Sequence, residues 1–173
     1  MSVSQDGKTL TTWNAGATLV ANYSITSDSW TQVPYAVNGL TGVLHATTDP
    51  TTGAIYLPAG SPTNPSDMLK YTYATGQAVI ETIPSTLVVI KSYYSFVWSY
   101  NGTKIILFGG HVGTELSVAN IYILDIKSMT WSEGPIAPDT RSHMACAVSG
   151  DNFIVWGDST HDIFWSANNT AHL

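Results

Sequence analysis

Charged residues are scarce in this chain: only 10% are Asp, Glu, Lys or Arg, against roughly a quarter in an average soluble domain. Six basic residues face twelve acidic ones, a formal charge of −6. No basic run is present to neutralise a phosphate backbone, so nucleic acid is not an expected partner. No stretch approaches the roughly 20 apolar residues that span a bilayer, so no transmembrane segment is expected. The opening Met1-Ser2-Val3-Ser4-Gln5-Asp6-Gly7 lacks the cationic and apolar parts of a signal sequence. As it stands, the chain is expected neither to insert in a membrane nor to carry its own export signal. The 3.6-residue periodicity of a long amphipathic helix is missing, as are a Gly-x-Ser-x-Gly elbow, a phosphate loop and a Cys-x-x-Cys pair. The single cysteine, Cys146, excludes an intrachain disulfide. Set among Met144, Ala145, Ala147 and Val148, it reads as a buried structural thiol. No basic sequence neighbour would lower its pKa toward that of a nucleophile.

What the chain does have is apolar material for a core, at 44% hydrophobic and 11% aromatic residues, which argues against disorder. It also has a repeat. Between Asn101 and Trp131 lies a glycine turn (Asn101-Gly102), a short apolar run (Ile105 to Phe108), a glycine pair (Gly109-Gly110), a second run (Ile121 to Ile126), a turn and Trp131. Short apolar runs rich in β-branched and aromatic residues, bounded by glycine, predict strands. The glycine pair predicts positive φ at a strand exit and close approach by another backbone or a large ring.

Other segments copy this unit. Asp6 to Ala15 lies over Asn101 to Gly110, with Trp30 at the place of Trp131. Ala59-Gly60 stands 50 residues before Gly109-Gly110, and Gly157 stands 48 residues after Gly109. Met68 to Tyr73 and Ala78 to Ile83 predict the later strands of the second copy. Arg141 to Val148 and Phe153 to Asp158 predict the first strands of the fourth, with Ser166 to Leu173 expected to fray. The copies run approximately over residues 1–34, 40–84, 92–135 and 141–173.

The Gly109-Gly110 pair, Tyr122 with Asp125, and Trp131 occur in an order that resembles a kelch repeat, the four-stranded blade of a β-propeller. The resemblance implies an all-β, kelch-type propeller of about four blades, the first and last incomplete. Blade one lacks most of its innermost strand and blade four its outermost. Propeller rings use four to eight blades, so an open partial ring is expected, either a fragment of a longer propeller or a truncated gene product, with a strained four-blade ring closed end to end as the alternative. Gly60, Gly109, Gly110, Gly157, Trp30, Trp131, His45 and His143 become structural repeat positions. His45 and His143 lie fifteen residues before Gly60 and Asp158, with Ser95 in the middle copy, which places both histidines on inner strands. Trp13, Trp30, Trp131 and Trp156 are expected to pack blade on blade.

The resemblance further implies a non-catalytic module that binds a protein partner through loops of variable sequence. These are the loops carrying Ser61 and Asn64, His111 and Glu115, and Asp158 and His161. Galactose oxidase also uses a kelch-type propeller. Its copper site needs a cysteine cross-linked to a tyrosine, a second tyrosine and two histidines, a set that no residues here match. Catalytic residues, metal ligands and cofactors are therefore not expected in this chain. The alternative is a piece of a galactose-oxidase-like copper enzyme, or of another propeller enzyme, with its catalytic residues elsewhere. Asp158, His161 and Asp162 could offer a cation two carboxylates and an imidazole, but without the His-x-His or His-x-x-x-His spacing of a metal site. Of the sequons at Asn22, Asn101 and Asn168, the turn at Asn101 is the best glycosylation candidate. Low charge and an Asn-, Ser- and Thr-rich composition favour an extracellular or membrane-anchored parent, with a cytoplasmic adaptor as the alternative.

Overall fold

A computed structural model describes residues 1–13, 19–34, 45–58, 66–85, 94–99, 102–112, 116–150, 152–156 and 165–168. Every regular element among them is a β-strand, and every strand pair is antiparallel. The chain divides into two compact units, Met1–Pro84 and Ser85–Leu173.

In the first unit, β1 (Ser2–Val3), β2 (Thr9–Trp13), β3 (Leu19–Ser24) and β4 (Ser29–Pro34) form a four-stranded meander. A second meander consists of β5 (Thr47–Thr48), β6 (Ile55–Pro58), β7 (Met68–Thr72) and β8 (Gln77–Glu81). All four residues of β6 are buried, which is why its sequence is a continuous apolar run rather than an alternation. Val20, Ile55, Leu57, Leu69 and Tyr71 form the core, with Trp13 packed on it. The Trp13 ring meets Tyr71 edge-on at 6.0 Å, joining the two sheets as aromatic quadrupoles favour.

In the second unit, β9 (Ser95–Trp98) and β10 (Lys104–Phe108) are followed by a small hairpin, β11 (His111–Val112) with β12 (Leu116–Ser117). The larger sheet then resumes with β13 (Ile121–Asp125) and β14 (Thr130–Glu133), in the order β14-β13-β10-β9. A three-stranded sheet follows: β15 (Ala145–Ser149), β16 (Asn152–Trp156) and β17 (Trp165–Asn168). Ile106, Phe108, Ile121, Ile123, Met144, Phe153 and Val155 share one core, and the Phe108 and Phe153 rings cross edge-on at 6.0 Å.

The turns repeat more faithfully than the side chains do. Gly7, Gly53, Gly102 and Gly150, each between the first two strands of its sheet, all have φ between 55° and 71°, a region that glycine enters without steric cost. Ser4 and Ser99 play identical parts: each backbone N–H bonds the carbonyl five residues on, at 2.8 Å, and each hydroxyl accepts from that residue's N–H, at 2.9 and 3.1 Å. Between the third and fourth strands, Asp28, Gly76 and Met129 all take positive φ. Two of these are non-glycine residues, so the turn geometry overrides local preference there.

Several expectations are corrected. Ser166 to Asn168 do not fray but pair with β16, Ser166 opposite Ile154 and Asn168 opposite Asn152. Trp30 and Trp131 hold equivalent register, opposite Tyr23 and Leu124. Trp131 is 7% exposed and Trp30 60%, so Trp30 does not pack between sheets. It stacks on Tyr23 within its own sheet at 5.1 Å. Trp156 is likewise exposed.

Candidate functional site

A polar cluster in the second unit forms where β10 ends. Gly109 and Gly110 have φ of 67° and 92°, so the strand turns sharply out of the sheet. That turn brings the Gly110 N–H to the Arg141 carbonyl at 2.8 Å, while the Gly109 N–H bonds the Asn120 carbonyl at 3.1 Å. The Arg141 N–H in turn donates to Val118 at 3.2 Å. A Cβ on Gly109 would lie 2.5 Å from the Arg141 carbonyl oxygen and 2.8 Å from Met144 Cε. The close approach expected at the glycine pair is thus made, at Gly109, by a neighbouring backbone and a methionine methyl, not by an aromatic ring.

The clamped segment carries three polar side chains in a row. Arg141 is buried and pairs with the exposed Asp139 at 3.1 Å. Ser142 is fully buried, and its hydroxyl lies 2.7 Å from His111 Nε2 and 3.1 Å from His143 Nδ1. A hydroxyl has one proton and two lone pairs, so Ser142 can serve both imidazoles at once, with the tautomer of each ring deciding which atom donates. The two rings stand at 78° with centroids 5.3 Å apart. His143 has a φ of 54°, a conformation that costs a non-glycine residue on the order of 1–3 kcal/mol. The surrounding hydrogen bonds hold it there.

This geometry makes a hydrogen-bonded latch. Ser142 is enclosed, so its oxygen cannot reach an external electrophile, and the ring nitrogens that face it are engaged by the hydroxyl. Among the described residues no group of three or more His, Cys, Asp or Glu side chains gathers to hold a metal ion. Cys146 lies in β15, where burial pushes its thiol pKa up while the Ser95 hydroxyl and the Phe96 backbone pull it the other way.

The structure therefore joins His111, His143, Gly109 and Gly110, which came from separate arguments. His111 opens β11 rather than lying on an irregular loop, and His143 and His45 precede strands rather than sitting on them. His45 is half-buried, and desolvation followed by the chain's N-terminal amine pushes its pKa down. Gly60, Ser61, Asn64, Asn101, Glu115, Gly157, Asp158 and His161 lie outside the described residues. Sequence reasoning passed over Arg141 and Ser142, whose only signal was a polar run opening the fourth copy.

No family model and no curated protein matches the chain. Among solved structures it is similar to Kuenenia stuttgartiensis hydrazine synthase, a β-propeller-containing protein, with a TM-score of 0.65 and 14% identity. The fold is propeller-like. The match covers 98% of this chain and 45% of that one, so the chain spans less than half the length of the structure it matches. At that identity the likeness concerns the fold alone. On a propeller-like fold the latch joins the exit of one sheet's second strand to the segment entering the next sheet, a place where it fixes their relation within the unit.

Proposed function

We propose that the chain is a set of kelch-type blades from a longer propeller, acting as a non-catalytic module that binds another protein through its loops. One observation supports this most. Four sheets share the same glycine turn, while the segments joining second to third strands, residues 14–18, 59–67, 109–120 and 157–164, differ in length and sequence. Constant strands with variable connections are the arrangement in which a rigid scaffold presents a recognition surface. The polar groups of the latch serve that scaffold. Ser61, Asn64, Glu115, Asp158 and His161 belong to the variable segments and are the proposed contact residues.

The test uses the complete parent protein. Alanine at Glu115 or His161 is expected to weaken capture of its binding partner while leaving the unfolding midpoint in place. Copper-dependent oxidation of sugars or alcohols by the parent, abolished by a change within this segment, would overturn the proposal in favour of a propeller enzyme.

A further inference from the structure

A second site lies in the first unit, where three hairpin turns from two sheets converge. They border an open surface pocket of about 290 Å³ lined by Ser4, Gln5 and Asp6 from the β1–β2 turn, Thr52 from the β5–β6 turn, Thr72 at the end of β7 and Tyr73 just after it. Hydrogen bonds beside the pocket tie the two sheets together. Gln5 Nε2 donates across the sheets to the Pro50 carbonyl at 2.5 Å, and the Ser2 and Thr48 hydroxyls bond each other at 2.5 Å. Asp6 Oδ1 accepts from the Ser4 hydroxyl at 2.6 Å and the Lys8 N–H at 3.0 Å. Those bonds, Ser4 first, hold its carboxyl below the usual range, so it is ionised at neutral pH. Tyr73 is 43% exposed.

We infer that this cavity binds a neutral polyhydroxylated ligand, a single sugar residue of a glycan. The chemistry of the walls selects that class. The second oxygen of the carboxylate accepts from a hydroxyl, an amide carbonyl accepts and threonine hydroxyls do both, while an exposed tyrosine ring offers a flat face to the C–H side of a pyranose. Among the described residues no Lys or Arg lines the pocket, and the Asp6 carboxylate, its charge offset in part by the nearby Lys8, disfavours phosphorylated or carboxylated ligands. One carboxylate, already engaged on one oxygen, is too few ligands for a divalent cation. The volume falls at the small end of ligand pockets and suits one ring rather than an extended chain. The site uses different loops from those proposed to contact a protein, so the two readings stand or fall separately.

Saturation-transfer difference NMR on the full chain, with methyl glycosides of glucose, mannose, galactose and N-acetylglucosamine as probes, provides the test. At least one glycoside is expected to bind in the millimolar range, as befits a ligand of so few atoms, with transfer strongest at its ring C–H protons. Asp6→Asn should weaken binding roughly tenfold, the loss of a charge-assisted hydrogen bond. Tyr73→Ala should abolish it, and Tyr73→Phe should preserve it because the ring face remains. Absence of transfer from all four probes in a chain with native dispersion overturns the inference. Unchanged affinity in Asp6→Asn and Tyr73→Ala, or tighter binding of glucose 6-phosphate than of methyl glucoside, does so equally.

Discussion

Replacing Gly109 by alanine perturbs the point on which the second unit turns, and the structure supplies the magnitude. The residue sits at φ 67°, where an L side chain costs roughly 1–2 kcal/mol. The new Cβ would also lie 2.5 Å from the Arg141 carbonyl oxygen, inside any real contact distance. That oxygen belongs to the main chain, so relief requires the segment 141–144 to shift, at the roughly 1–3 kcal/mol typical of overpacking. A shift lengthens the 2.8 Å bond from the Gly110 N–H, worth about 0.5–1.5 kcal/mol net. The expected loss is about 2.5–6.5 kcal/mol. Gly150→Ala is the internal control, because it has a φ of 55° in the same unit but nothing within 4 Å of the added Cβ. It should lose only the backbone contribution, about 1–2 kcal/mol. Urea unfolding followed by tryptophan fluorescence measures both, and Trp98 and Trp131 are buried reporters in that unit. Equal losses for the two variants would refute the argument from the Arg141 contact.

Trp131→Ala should cost about 3–5 kcal/mol, since the ring is buried, whereas Trp30→Ala should stay within about 1 kcal/mol despite its equivalent register; the same unfolding curves decide. His45 gives the first unit a pH dependence. Its folded pKa is pushed below the unfolded value by burial, so the unfolded chain binds the proton more readily. Its contribution to stability is full above about pH 6.5 and falls as pH drops through that value. His45→Gln should flatten that part of a midpoint-against-pH profile, and a profile unaltered by the change would count against it. Cys146 should alkylate slowly with iodoacetamide at pH 8, because burial raises its pKa, and rapidly once urea unfolds the chain. Fast labelling of the native chain would contradict this.

What could be read from the sequence was the punctuation. Gly7, Gly53, Gly102 and Gly150 announce hairpins because few other residues enter positive φ cheaply, and all four do so. Gly109-Gly110 announced an unusual strand exit for the same reason. The identity of the neighbour was not legible, because Arg141 and Met144 reach Gly109 through a connection of some thirty residues whose path no local pattern encodes. Nor was the exposure of Trp30, which depends on what packs outside its sheet and not on its own register. Ser166 to Asn168 were misread because a polar strand pairing through its backbone has the composition of a loop. The latch escaped notice because Ser142 is an ordinary residue until the fold sets His111 beside it. The sugar-sized cavity is built from turns at residues 4–6, 52–53 and 72–74, each unremarkable alone.

The most direct test of the account is an experimental structure of the complete parent protein. The four sheets spanning residues 2–34, 47–81, 95–133 and 145–168 are expected to appear as consecutive blades around one channel, with the variable segments 59–67, 109–120 and 157–164 on a common face. Sheets that belong to separate domains, or segments that open on different faces, would contradict it.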